Sequence, residues 1–253
     1  MNAVAFSALV FLCVCVATGV GVAMRKRLPQ QHLDPDSRDV VKLVMALIST
    51  MSAITLGLLV SSAQGSFTAQ RANIEKIAAN VIDMDRTLSL YGPNAQPARA
   101  LLRRSLETMH DAIWTGERIL PQNLSPTRHG MPAETFAMLL RDMKPQNEVE
   151  QMARARALQL SMEIGQIRLM MFEQVGQSIS WYFIAALAFW ISVLFAGYGL
   201  LTLPHATVIA AWLLGALSIS LAMFLILELN EPYNGAIQLS DRPIRGALAE
   251  IGG

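Results

Sequence analysis

The sequence predicts an all-α integral membrane protein, with four transmembrane helices and a helical bundle inserted between the second and the third. Four apolar runs are each long enough to cross a hydrocarbon core about 30 Å thick, and none has a charged residue in its interior. The runs are Ala3–Met24, Leu43–Val60, Trp181–Leu203 and Ala206–Leu229. Apolar and polar residues never alternate over a sustained stretch, so we expect no sheet. The chain is 53% hydrophobic and 15% charged, whereas soluble domains are about 25% charged.

The first run is predicted to be a membrane anchor and not a cleaved signal peptide. A signal peptide has basic residues before its apolar core, and here the basic cluster Arg25–Arg27 follows the core instead. Both cysteines, Cys13 and Cys15, lie inside this run. We expect them to be small packing residues that form no disulfide.

The second membrane helix is predicted to begin before the membrane and to continue beyond it. Asp34 suits the N-cap, and Pro35 suits the first helical position. No proline occurs from Ser61 to Leu90, and apolar residues recur there at steps of three and four. These residues are Phe67, Ile74, Ile77, Val81, Met84 and Leu88. Gly92 and Pro93 are predicted to end the helix.

The rest of the middle region is predicted to contain three more helices. The first covers residues 95–120, with an apolar stripe that consists of Ala98, Leu101, Leu102, Leu106, Met109, Ile113 and Trp114. A loop and the short helix Ala133–Met143 follow. After Pro145, a long helical pattern leads into the third run. Its apolar residues are Val149, Met152, Leu158, Met162, Ile164 and Ile167.

These elements divide the chain into four predicted parts. Residues 1–62 hold transmembrane helices one and two, and residues 63–180 form the extramembrane bundle. Residues 181–230 form a transmembrane hairpin, because little more than Pro204 and His205 joins its two runs. Residues 231–253 are a C-terminal tail. Four crossings place both termini on the same side of the membrane.

Lysine and arginine in the short loops predict the orientation, because cytoplasmic loops collect them. The connector Arg25–Lys42 holds five of them, and residues 202–206 hold none. This rule places the connector in the cytoplasm, and both termini and the middle region outside. We expect a multi-pass protein of the cell inner membrane.

The sequence contains no catalytic or cofactor motif, so we expect neither an enzyme nor a cofactor. It has no nucleophile elbow, P-loop, dinucleotide fingerprint or zinc-protease helix. The histidines lack the spacing of metal ligands, and the net charge of +1 argues against a nucleic-acid partner. The carboxylates Asp83 and Asp85 lie on different sides of a helix and are expected to be solvated.

Small hydroxyl residues are the candidate functional residues of the membrane helices. Ser49, Ser52 and Thr55 recur every three residues along the second membrane helix. They could line a pore, because polar side chains in lipid prefer the interior of a bundle. They could instead let helix backbones approach closely. Other small residues are interpreted as packing seams on the third and fourth membrane helices: Ala188, Ser192, Ala196, Ala211 and Gly215.

Two carboxylates, Glu228 and Glu231, lie where the fourth helix leaves the membrane. Pro232 and Gly235 follow them and predict a turn. The pair is part of a polar vestibule, a clamp on the middle bundle, or an ordinary interfacial helix end.

Several sequence elements together carry a resemblance to a known family. They are Gly57–Ala63, the stretch Asn80–Leu88 followed by Tyr91–Pro93, and the tail segment Glu228–Gly235. Over nearly its whole length, the chain resembles the bacterial bestrophin-like family of unknown function. Relatives often have aspartate where Asn230 and Asn234 stand, which weakens a carboxylate role for the tail.

The resemblance implies a remote relation to the bestrophins, which are pentameric anion channels with four membrane helices per subunit. It therefore implies a homo-oligomer in the lipid bilayer that acts as an ion channel or pore. The alternative is a non-conducting membrane scaffold or sensor whose helical bundle binds a partner protein. In bestrophins the region between helices two and three is cytosolic, which opposes the charge rule. No residue role is carried over, because the chain lacks the clustered aromatics of the channel neck.

Overall fold

The computed structural model describes residues 3–29, 34–114, 133–176, 181–231, 233, 235 and 237–251. Within these ranges the chain forms α-helices, one short 3-10 turn and no strand, which confirms the all-α prediction. In chain order the helices are α1 (Ala3–Arg27), α2 (Pro35–Tyr91), α3 (Gln96–Trp114), α4 (Ala133–Asp142), α5 (Glu148–Gly176), α6 (Trp181–Leu201), α7 (Ala206–Asn230) and α8 (Arg242–Glu250).

Four helices are long and apolar enough to cross a membrane: α1, α2, α6 and α7. Each contains most or all of one predicted apolar run. Between 17% and 33% of their most apolar windows is buried within the chain. Many large apolar side chains on these helices therefore point outward, as lipid-facing surfaces require.

The local signals at the two ends of α2 act as predicted. The helix begins at Pro35, and the backbone N–H of Arg38 donates to the oxygen of Asp34 at 3.0 Å. It continues without interruption for 57 residues to Tyr91. Gly92 then adopts a φ of +96°, which favours glycine and ends the helix. The predicted continuation of the second membrane helix is thus confirmed. Residues 177–180, where the third was predicted to be continuous, lie outside the described ranges.

The chain divides into two compact units, each with its own apolar core. The first consists of Met1–Gly65 and Ile179–Asn230, and it contains α1, α6, α7 and the first part of α2. The second consists of Ser66–Ser178 and Glu231–Gly253.

In the first unit, α1 and α6 pack with their backbones in direct contact. A Cβ on Gly21 would overlap the backbone oxygen of Ala196, and one on Gly199 would overlap that of Thr18. Glycine is therefore required on both helices. The contact at Ala196 confirms the predicted packing seam at that residue.

The second unit buries the apolar stripe predicted for the later part of α2. Its fully buried members are Ile74, Ile77, Val81, Met84 and Leu88, and Phe67 is partly buried against them. From α3, Ala98, Leu102, Leu106 and Ile113 join the same core. The indole N–H of Trp114 donates to the oxygen of Leu239 at 2.8 Å, which holds the tail against the end of α3.

The predicted helix after Pro145 is present as α5. Of its apolar residues, Leu158, Ile164 and Ile167 pack against the core, whereas Val149, Met152 and Met162 are exposed. The buried residues of α5 are Ala153, Ala157, Leu160, Ser161 and Met171.

One prediction about the second unit is corrected. Asp85 was expected to be solvated, but it is 6% exposed. It accepts two hydrogen bonds from Arg99, each at 2.8 Å.

Candidate functional site

The membrane run of α2 has three sides that differ in residue size and exposure. The buried side packs within the chain and consists of Met45, Ser52, Leu59 and Ala63. The large apolar side is exposed and consists of Leu43, Leu47, Met51, Ile54 and Leu58. A second exposed side, which we name the small-residue face, consists of Ala46, Ser49, Thr50, Ala53 and Gly57. At about 100° per residue, these five positions fall within one side of the helix.

The three candidate hydroxyl residues lie in different environments. Ser52 is on the buried side, 6% exposed, and its Oγ donates to the oxygen of Ile48 at 2.7 Å. Ser49 is exposed on the small-residue face, and Thr55 is half-buried. Ser52 therefore lies on a different side of the helix from Ser49, and Ser49 and Thr50 lie on the same exposed side.

The small-residue face carries hydroxyl groups but no charge. The Oγ1 of Thr50 donates to the oxygen of Ala46 at 3.0 Å, so its lone pairs remain available as acceptors. A Cβ on Gly57 would meet nothing within 4 Å, so this face is open in the single chain. Such a surface suits either close contact with another helix or a water-filled axis.

The two carboxylates near the end of α7 also differ from each other. Glu228 lies in the last turn of the helix and is 6% exposed, whereas Glu231 is exposed. The backbone oxygen of Glu231 accepts from the N–H of Gly235 at 3.0 Å, which forms a turn there. Pro232, on which the predicted turn partly depended, lies outside the described residues. The vestibule stays a prediction.

The described part of the chain contains no group of three or more His, Cys, Asp or Glu that could hold a metal ion. Cys13 is exposed, Cys15 is half-buried, and both are free thiols. Of the four histidines, His110 lies 3.5 Å from the carboxylate of Asp241 and stacks on Trp114. His110 therefore joins α3 to the tail, which is a structural role.

Sequence reasoning missed the pair of Asp85 and Arg99, in which a carboxylate and a guanidinium are joined by two hydrogen bonds. The side chains are 8% and 15% exposed. Hydrogen bonding to Asp85 raises the pKa of Arg99, so the guanidinium stays charged. The turn at Gly92 brings the two residues together from α2 and α3. Their separation of 14 residues gave no local signal.

A family model of the Bestrophin-like domain matches residues 11–244. The chain therefore belongs to the Bestrophin-like family, and it is an integral membrane protein. No curated protein matches the chain significantly.

Solved structures confirm the fold. The chain is similar to two crystal structures of variants of a bacterial bestrophin homologue from Klebsiella pneumoniae. The first is 12% identical in sequence and has a TM-score of 0.70, and the match covers 96% of this chain and 97% of that chain. The second is 12% identical and has a TM-score of 0.71, and the match covers 98% of this chain and 99% of that chain. At this identity the likeness establishes the fold alone.

Proposed function

We propose that this member of the Bestrophin-like family assembles into a homo-oligomeric ion channel in the lipid bilayer, with α2 nearest the symmetry axis. The family and fold include anion channels, which supports the channel class. The observation that carries the proposal is the small-residue face of α2. This face is exposed in the single chain and includes Ser49 and Thr50.

A ring of copies would shelter the small-residue face from lipid. Closed symmetry repeats one interface around an axis, so a face near that axis is covered in every copy at once. The large apolar side of α2 would then remain available to lipid or to neighbouring helices. Ions are the proposed cargo, and the sequence gives no reason to expect a nucleic-acid partner.

The second candidate is a non-conducting scaffold or sensor. The observation that favours it is the internal bonding of the hydroxyl groups, because Ser52 and Thr50 both donate to backbone oxygens of their own helix. Small residues with satisfied hydroxyls pack well against another helix without any axial opening. This candidate uses the same four predicted parts of the chain, and the bundle at residues 63–180 would bind the partner protein.

Conduction by the purified protein in planar bilayers tests the proposal, with two aspartate substitutions as a matched pair. Ser49→Asp places a carboxylate on the open face and should shift the reversal potential towards cation selectivity. Ser52→Asp buries an unpaired charge, so it should lower stability and yield without a selective current. Equal effects of the two substitutions on selectivity would refute the assignment of the small-residue face to the axis.

Cysteine accessibility separates the two candidates independently of selectivity. In a background that lacks Cys13 and Cys15, Ala53→Cys lies on the small-residue face and Leu47→Cys on the large apolar side. A channel predicts that a charged thiol reagent modifies Ala53→Cys and changes the current, while Leu47→Cys does not react. An intact oligomer in which neither cysteine reacts supports the scaffold, and a monodisperse monomer in nanodiscs excludes the ring.

A further inference from the structure

Arg25 continues the buried side of α1 beyond the apolar core of the first unit. This side consists of Val10, Val14, Thr18 and Gly21. Arg25 follows Gly21 by four residues, so it lies on the same side of the helix. A Cβ on Gly21 would lie 3.0 Å from the amide nitrogen of Leu200, one residue before α6 ends. Because α1 and α6 cross the membrane in the same direction, Arg25 lies about 6 Å past this contact, just beyond the end of α6.

Arg38 continues the buried side of α2 in the same way. This side consists of Met45, Ser52, Leu59 and Ala63. Arg38 precedes Met45 by seven residues, which is about two full turns, so it lies on this side too. A Cβ on Gly197 would lie 2.6 Å from the sulfur of Met45, which places Met45 against α6 near the end of that helix. Since α2 runs opposite to α6, Arg38 lies about 10 Å beyond Met45. The two arginines therefore approach the same end of α6.

Neither guanidinium is fully hydrogen-bonded within the part of the chain that the structure describes. The Nη1 of Arg25 and the Nε of Arg38 are shielded from solvent and have no hydrogen-bond partner there. Such groups call for an explanation, because nearly all buried polar groups in folded proteins are hydrogen-bonded. Both residues are only half-buried, so rotation of these long side chains can present the N–H groups to an acceptor at the surface.

The charges around the two arginines do not supply that acceptor. Across residues 25–42, five Lys or Arg face three Asp, which gives a formal charge of +2. Lys42 and Asp39 form an exposed pair with each other at 2.9 Å. Among the described residues, neither arginine forms an ion pair with the other two aspartates. The ends of α6 and α7 add no countercharge, because residues 197–210 contain no Asp or Glu.

The surface beside the two arginines is apolar on the membrane side. Met24, Val40 and Leu43 lie within a few residues of them along α1 and α2, and all three side chains are exposed. A ligand that suits both features has a negatively charged head and an apolar tail. A free anion would satisfy the guanidinium groups but would leave these apolar side chains uncovered.

We propose that Arg25 and Arg38 bind the phosphate group of one anionic phospholipid, such as phosphatidylglycerol. Each guanidinium presents N–H groups in a planar fork that matches two phosphate oxygens, and basic pockets at the ends of membrane helices recognise lipid head groups by this chemistry. A zwitterionic lipid suits the site less well, because its own ammonium group competes for the phosphate. The site depends neither on conduction nor on the number of subunits.

The test is the melting temperature of the full-length protein in a neutral detergent, with increasing phosphatidylglycerol or phosphatidylcholine of the same acyl chains. The wild-type protein should show a saturable rise with phosphatidylglycerol and a much smaller one with phosphatidylcholine. Arg25→Gln and Arg38→Gln should each need roughly fivefold more phosphatidylglycerol for the same rise. Lys26→Gln is the matched control, because it removes one charge beside Arg25 from an exposed position. It should behave like the wild-type protein.

Native mass spectrometry gives a second readout. The wild-type protein should retain phosphatidylglycerol, and the double variant of Arg25→Gln and Arg38→Gln should lose it. Equal rises with both lipids would overturn the proposal. Equal weakening by Lys26→Gln and Arg25→Gln would also overturn it, because diffuse attraction to a basic surface requires no particular arginine.

Sodium phosphate at matched ionic strength separates the lipid from a free anion. It should raise the melting temperature far less than phosphatidylglycerol does, since it lacks the apolar tail. A saturable rise of equal size, lost in Arg38→Gln, would overturn the lipid assignment and indicate a site for free phosphate. If Arg25→Gln does not fold, Arg38→Gln and Lys26→Gln decide.

Discussion

Gly21→Ala is predicted to disrupt the packing of α1 against α6, because the added methyl has no space. Its carbon would lie 2.8 Å from the carbonyl carbon of Ala196 and 3.0 Å from the amide nitrogen of Leu200. Carbon atoms in contact normally lie about 3.5–4.0 Å apart, so the helices must separate by roughly 1 Å. The obstacle is backbone, which cannot rotate away as a side chain can.

The separation should cost about 3 kcal/mol, at the upper end of the range for overpacked cores. The neighbouring contact of Gly199 with Thr18 depends on the same close approach and would loosen with it. For a chain of this size, each 1 kcal/mol lowers the melting temperature by about 2–4 °C. We therefore expect Gly21→Ala to lower it by roughly 6–12 °C.

The matched control is Gly19→Ala, two residues earlier on the same helix. A Cβ at Gly19 would meet nothing within 4 Å, and alanine is a better helix former than glycine by about 1 kcal/mol. Its melting temperature should therefore equal or exceed that of the wild-type protein. Both variants are compared in the same detergent by tryptophan fluorescence on heating. Equal melting temperatures for the two would refute the close contact between α1 and α6.

Two further predictions concern the second unit. Asp85→Ala leaves Arg99 largely buried without its carboxylate and should lower the free energy of unfolding by about 3 kcal/mol. As a control, Asp83→Ala breaks the pair with Arg156, in which both side chains are about half exposed, and should lower it by less than about 1 kcal/mol. Similar losses for the two variants in denaturant unfolding would contradict this. Tyr233→Phe removes a buried hydroxyl that has no partner among the described residues, so the melting temperature at pH 7 should stay equal or rise. Burial raises the pKa of Tyr233, so above about pH 10 the tyrosine ionises more readily in the unfolded chain than in the folded one, and the wild-type protein loses stability. Tyr233→Phe should therefore lose less stability than the wild-type protein between about pH 9 and 11. A lower melting temperature of Tyr233→Phe at pH 7 would indicate that the hydroxyl makes a hydrogen bond instead.

The sequence predicts the helices well because their ends carry local signals. Pro35 and Gly92 each act through their own backbone preferences, independently of the rest of the fold. The apolar stripe from Ile74 to Leu88 is equally local, because steps of three and four residues place side chains on one side of a helix. Such features need no knowledge of which helix lies opposite.

Contacts between helices are what the sequence did not reveal. The pair of Asp85 and Arg99 depends on how the turn at Gly92 sets α3 against α2, and neither residue carries that information. The buried side of α5 includes Ala153 and Ala157 beside Leu160 and Met171, whereas the large apolar residues Met152 and Met162 are exposed. The residues that pack most closely are therefore among the least conspicuous in the sequence.

The separation of the hydroxyl residues on α2 has a geometric cause. A step of three residues turns an α-helix by about 300°, which leaves each residue about 60° behind the one before. Ser49 and Thr55 therefore lie about 120° apart, on either side of Ser52. Ser52 lies between them on the buried side, with Met45 and Leu59. A regular spacing in the sequence thus places Ser49, Ser52 and Thr55 in three different environments of the structure.

Whether the small-residue face of α2 could line a pore depends on the number of subunits around the axis. Packed helices lie about 9 Å apart, and a helix with its side chains has a radius of about 5 Å. By this geometry, three helices around an axis leave no opening, whereas five leave one with a radius of roughly 2–3 Å, wide enough for a bare or partly hydrated ion. Small side chains such as Gly57 and Ala53 would widen it further. Under the proposed function, shelter of this face in a small oligomer would give a scaffold without an opening, whereas the same contact repeated in a larger ring would give a channel.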